Sequence, residues 1–384
     1  MPLAPVDDKG TQFYYEDTGA PSGCATYTTL VLIHGGVFHS AIYRPMIPYA
    51  AARNVRLVLV NVRDYPGSTP YSASELAALR SGNREEQKAM LDERGKEVAK
   101  FLLWFIGKEK IPQTANGQTG NSSRTGGLAL LAWSWGNTIT MAFLAQAAKL
   151  PQRDQEILGS YLRTLFLFDS SGHALGLPTD LAEFIMHPFR DAQIPVEQQG
   201  RTFERWVSEY YAHALPKDAA LHSLTYDELK ASLVQQPIDN PPPEHVATVD
   251  HLSSEQYADV VDPTVTARSH LLYIMVVDRS VYRDVMHDAL WDSSVWPGLR
   301  VPLIWCDMSV SETVFAAWHF SQQVKENWPR GARKIDIVRF EGANHFVSVH
   351  AILPGIARDL SKCIALQPHG DEPQRMLELL LTLA

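Results

Sequence analysis

Ser134 closes an apolar run, Leu128-Ala129-Leu130-Leu131-Ala132-Trp133, and is followed by Trp135-Gly136-Asn137. The run reads as a buried strand, then a sharp turn, then a helix. Ala132 and Gly136 flank the serine two positions away on either side, the small residues needed when a turn is so tight that neighbouring backbones nearly touch. A serine hydroxyl is a poor nucleophile at neutral pH and needs a base within hydrogen-bond reach, itself oriented by a carboxylate. Fourteen histidines could supply the base. His345 is the candidate, because it follows the last predicted strand in the small-residue loop Gly342-Ala343-Asn344-His345, from which a side chain can reach back over a sheet edge. His350 falls in a predicted helix, and the other histidines read as surface or insertion residues. For the acid, Asp169 ends one apolar strand, and Asp307 or Glu312 follows another; each aspartate could equally be a turn or capping residue.

The elements that must position these residues are legible from periodicity. Strands are predicted over 11–15, 27–33, 56–62, 128–133, 162–168, 301–306 and 334–340, several of them continuously apolar as parallel strands covered on both faces must be. Amphipathic or apolar helices are predicted over 85–108, 138–150, 311–328 and 347–365, with a further short helix in the tail to Ala384. Residues 112–127 read as a polar spacer. Between 173 and 297 the alternation dissolves into an aromatic-rich stretch broken by Pro237-Ile238-Asp239-Asn240-Pro241-Pro242-Pro243. So long an interval between two strands exceeds what a crossover needs. The expected organisation is an α/β core of residues 1–172 and 298–384 with a mainly helical cap, 173–297, inserted between two core strands. The aromatic residues of that cap suit the underside of a pocket, and they equally suit ordinary core.

Composition bounds the function. Of 384 residues 45% are hydrophobic, enough for a large core, and a formal net charge of -9 argues against a polyanion-binding surface, so no nucleic-acid partner is expected. Cys24, Cys306 and Cys363 are scattered, with neither metal-ligand spacing nor disulfide-scaffold density. No metal or organic cofactor is implied. The amino end carries acids where a signal peptide would need bases, and no run approaches membrane-spanning length; the expectation is a cytoplasmic protein.

Taken in order, His34-Gly35-Gly36, Ala132-Trp133-Ser134-Trp135-Gly136, Asp169 and Gly342-Ala343-Asn344-His345-Phe346 resemble the α/β-hydrolase superfamily over about residues 10–172 and 300–365. Alanine stands where the G-x-S-x-G pattern has its first glycine. The resemblance implies a mostly parallel, doubly wound sheet with Ser134, Asp169 and His345 as a triad. It places oxyanion donors at the Trp135 amide and at Gly36 or Val37, with Trp135 a wall of the acyl pocket. In many members of the superfamily the acid follows the penultimate strand, where Asp307 and Glu312 lie; in others it follows the strand after the elbow, the position of Asp169, and Asp169 is favoured here because Cys306-Asp307-Met308-Ser309 lacks the glycine-rich turn usual before an acid at the first position. The Ser-Trp-Gly sequence is similar to the Asp-Trp-Gly of epoxide hydrolases and haloalkane dehalogenases, but a serine is suited to acyl carbon and not alkyl carbon. The implied activity is hydrolysis of an ester, lactone or thioester of a largely apolar small molecule through an acyl-enzyme, and the chain is similar to fungal hydrolases of secondary metabolism. Two alternatives remain open: a lyase or carbon-carbon bond hydrolase on the same fold, and a ligand-sensing protein like the hydrolase-derived plant hormone receptors.

Overall fold

A computed structural model describes residues 2–115, 125–178, 180–217, 219–346 and 372–384. Eight strands form one sheet in the order β1-β2-β4-β3-β5-β6-β7-β8: β1 Leu3–Pro5, β2 Gln12–Asp17, β3 Thr28–Ile33, β4 Val55–Asn61, β5 Leu128–Trp133, β6 Leu162–Phe168, β7 Val301–Cys306 and β8 Ile335–Phe340. Near one edge, β2 runs antiparallel to both of its neighbours, β1 and β4, and the remaining pairs are parallel. Strands β4, β5, β6 and β7 are buried along their whole length, as their mostly apolar sequences require when helices cover both faces. Apolar side chains pack into one large cluster on each side of the sheet.

Register gathers the candidate residues. Ile33 pairs with Ala132, Trp133 with Phe168, Phe168 with Ile304, and Cys306 with Phe340, so the carboxyl ends of five parallel strands lie along one edge. Ligands bind outside that edge in open parallel sheets. The loops leaving it carry Gly36, Ser134, Asp169, Asp307 and His345.

Helix α1, Arg84–Glu109, starts at Asn83, whose side chain accepts from the amides of Glu85 and Glu86, and stops at left-handed Lys110. Helix α2, Gly136–Ala145, leaves the Ser134 turn and is buried throughout. It is shorter than the predicted helix, its final turns having become a 3-10 segment at Ala147–Lys149. The polar helix α3, Gln152–Tyr161, and the three-residue strand β1 have no counterpart in the sequence reading. The predicted helix 347–365, His350 within it and Cys363 lie outside the described residues, as does the middle of the spacer 112–127.

Among the described residues, 173–297 contribute no strand to the sheet. They form helices α4, Val196–Ser208, and α5, Arg279–Leu290, joined by short helical turns and loops, the proline-rich stretch 237–243 among the latter. The core closes with α6, Ser311–Glu326, and α7, Glu372–Leu383. Among the described residues no helix is long and apolar enough to cross a membrane.

A buried ionic cluster fastens the loop after β4. Arg63 pairs with Glu97 at 2.9 Å and Glu75 at 2.9 Å, Arg94 pairs with the same two carboxylates at 2.9 and 3.1 Å, and both guanidinium groups lie 5.0 Å from the centre of the Tyr71 ring. Arg63, Arg94 and Glu97 are all buried. Replacing Glu97 with alanine leaves two buried arginines to share Glu75 alone and is expected to cost about 3 kcal/mol of folding stability, read as a lowered denaturant midpoint.

Candidate active site

Ser134 occupies the left-handed region at φ 55°, a conformation that costs a residue with a Cβ about 1 to 2 kcal/mol and is held by its surroundings. Its amide donates to Phe168 O at 3.0 Å. The Asn137 side-chain amide donates to Ser134 O at 2.8 Å and to Phe168 O at 3.2 Å, tying the turn to β6. Gly136 explains the small residue after the serine: a Cβ there would collide with the carbonyl oxygen of His34.

His345 meets Asp169. The ring Nδ1 lies 2.6 Å from Asp169 Oδ2, so with a carboxylate as acceptor Nδ1 carries the proton and Nε2 keeps its lone pair. Asp169 is fully buried and is satisfied further by the Cys306 amide at 2.9 Å and the Ser309 hydroxyl at 2.6 Å, which in turn accepts from Thr313 Oγ1 at 2.9 Å. Ser309 was not singled out by sequence; it lies on the turn after β7, and nothing in its spacing marks it.

The other acids do different work. Asp307 accepts from Arg339 Nε at 2.9 Å and from the Gly342 amide at 2.7 Å, bracing the loop that carries His345. Asn344 fastens the same loop from the opposite side, donating to Ser208 O at 2.8 Å and Thr248 Oγ1 at 3.1 Å. Glu312 is largely but not wholly buried at the start of α6, 3.7 Å from His187 Nε2, and makes no bond to His345. Burial alone would raise its carboxyl, yet its pKa lies below the ordinary value through His187, Arg190, Arg279 and the Gly172 amide. At neutral pH the arginines and the amide carry that effect, because burial pulls the His187 ring down to about 4.

On the opposite side, His34 holds the glycine turn. Its Nδ1–H donates to Gly35 O at 2.7 Å and its Nε2 accepts from the Val62 amide at 3.2 Å, while burial pulls the ring down to about 3 and keeps it neutral. Gly36 lines the cavity above Ser134 together with Trp135. Val37 does not suit the donor role offered to it, because its amide already donates to Tyr65 Oη at 3.0 Å.

A family model described as the alpha/beta hydrolase family matches residues 30–351. The chain belongs to that family. No curated protein matches this hydrolase in sequence. Solved structures similar to it include a bromoperoxidase from Bacillus anthracis, 11% identical, with 99% of each chain covered and a TM-score of 0.48. A laboratory-evolved variant of potato epoxide hydrolase is 14% identical over 90% of this chain and 93% of the other, at a TM-score of 0.47. A carboxylesterase of the thaumarchaeon Nitrososphaera gargenis is 13% identical over 99% and 97%, at 0.46.

The cavity of this hydrolase holds about 40 Å³, far below the several hundred that enclose a drug-sized ligand. Ser134, Trp135 and His345 form its floor. From residues 173–297, Phe203, Trp206 and Ile274 close it with apolar surface, whereas His173, His187 and His270 bring imidazoles. Among the described residues no group of three or more His, Cys, Asp or Glu is arranged to hold a metal ion. Gly136→Ala is expected to destabilise the protein by about 2 kcal/mol through overpacking at the turn, measurable by urea denaturation.

Proposed function

We propose that this hydrolase cleaves an ester, lactone or thioester through an acyl-enzyme. Ser134 attacks the carbonyl carbon, His345 Nε2 takes the hydroxyl proton and returns it to the leaving group, and Asp169 holds the ring and stabilises the imidazolium that forms. Water then repeats the sequence on the acyl-enzyme. The Gly36 and Trp135 amides are the donors for the tetrahedral oxyanion. The observation that carries this reading is the 2.6 Å contact between His345 and a buried, triply hydrogen-bonded Asp169, on the same cavity as a serine in a left-handed turn.

The substrate in this reading is a small molecule with an apolar portion against Phe203 and Trp206 and a polar group toward Glu312 and His187. The insertion 173–297 acts as a cap over the core and must shift to admit anything larger than a water or two, given a cavity of about 40 Å³.

Covalent labelling by a fluorophosphonate probe tests the assignment. Ser134→Ala is expected to abolish labelling and ester turnover; turnover that persists contradicts it. Asp169→Asn should lower kcat by about 10⁴-fold, as loss of the orienting carboxylate does. Asp307→Asn, which leaves the His345–Asp169 pair in place, should reduce stability much more than kcat.

A further inference from the structure

His270 is fully enclosed, and neither of its ring nitrogens has a hydrogen-bond partner. Buried polar side chains are almost always paired, so one with both nitrogens open calls for a ligand. The ring lies against the glycine turn: a methyl group at Gly36 would overlap Nε2 and Cε1. Its other neighbour is Trp135, whose ring centre is 5.0 Å away in an edge-on contact, a weak partner for at most one nitrogen. His270 thus sits between the two residues whose amides the proposed function assigns to the oxyanion, and it lines the cavity that contains Ser134.

The backbone holds the ring there firmly. His270 ends a π-helical turn, Thr266–His270, a rare conformation common at functional sites. The two preceding residues are clamped to the core by one buried carboxylate, Asp64: Ser269 Oγ donates to it at 2.6 Å and Arg268 Nη2 lies 2.9 Å from it. Burial pulls the imidazole down to about 3, so the neutral ring offers one N–H and one lone pair to whatever enters.

We propose that His270 is a third oxyanion donor, its Nε2–H hydrogen-bonding the substrate carbonyl oxygen beside the Gly36 and Trp135 amides. The ring transfers no proton; it stabilises the negative charge that develops when Ser134 adds to the carbonyl carbon. An uncharged donor fixed before the reaction needs no reorganisation as that charge appears. Because the donor comes from the 173–297 insertion and the two amides from the core, the oxyanion site is complete only when the insertion lies over the sheet.

This inference rests on the acyl-transfer reading, and the test separates the two. Wild-type protein, His270→Phe, His270→Gln and His270→Asn are compared in fluorophosphonate labelling rate, in kcat and KM on a p-nitrophenyl ester, and in affinity for a trifluoromethyl ketone that binds as an oxyanion. His270→Phe is expected to lower kcat, labelling rate and ketone affinity by about 100-fold, with KM little changed. Gln sets an amide N–H where Nε2 stood and Asn sets one where Nδ1 stood, so Gln should outperform Asn. That ranking decides the matter if the Phe variant does not fold. Wild-type labelling that proceeds equally fast in His270→Phe, a loss confined to KM, or Asn performing as well as Gln overturns the third donor and leaves the nucleophile standing. Wild-type protein that neither labels nor hydrolyses the ester overturns both.

Discussion

A carboxylate removed from water is tolerated only when its charge is met, and the fully buried Asp169 is met by three donors that converge from separate parts of the chain. One is a backbone amide at the end of β7, one a hydroxyl on the turn beyond it, and one the imidazole of His345. The requirement constrains the fold in turn. β6 must stop at Phe168, β7 must continue beside it to Cys306, and the loop after β8 must return across the edge of the sheet. Asp307 and Asn344 hold that loop from below and above, which is why neither needs to touch the reacting atoms to matter for them.

The strained turn at Ser134 is the second dependent feature. A serine at φ 55° persists because Asn137 bridges it to Phe168, the same strand end that leads into Asp169. Ser134 and Asp169 are therefore set by one pair of parallel strands, β5 and β6, and their separation follows from the fixed spacing of a sheet and not from loop chemistry. The insertion contributes the remaining wall. Its attachment through Asp64, by Arg268 and Ser269, ties the roof of the cavity to the loop after β4, which the Arg63–Glu97–Arg94 cluster fastens to the core, so core stability and roof position are linked.

Strand ends were the part of this structure that could be read from sequence. Continuous apolar runs mark buried parallel strands, and the residues that follow them, Ser134, Asp169 and His345, are brought to one edge by topology alone. The competing acids Asp307 and Glu312 could not be separated from Asp169 in the same way. What distinguishes them is a partner far along the chain, Arg339 for one and His187 for the other. Ser309 and His270 were invisible for the same reason, since a hydroxyl on a turn and one histidine of fourteen have no local signature. Strand β1 is too short for periodicity to register, and α3 follows a proline with a run of polar residues that looks like loop. The resemblance implies Gly36 or Val37 as an oxyanion donor, and nothing local in the sequence shows that the Val37 amide is already taken by Tyr65.

The central claim is that His345 and Asp169 form a buried, proton-bearing pair beside Ser134. Proton NMR of the resting protein in water tests it most directly, because a histidine Nδ1–H bound to a buried carboxylate resonates far downfield of the amide envelope. The account predicts such a resonance in the wild-type protein, its loss in Asp169→Asn and its survival in Asp307→Asn. A spectrum with no downfield imidazole proton, or one that outlasts the removal of the Asp169 charge, would contradict it.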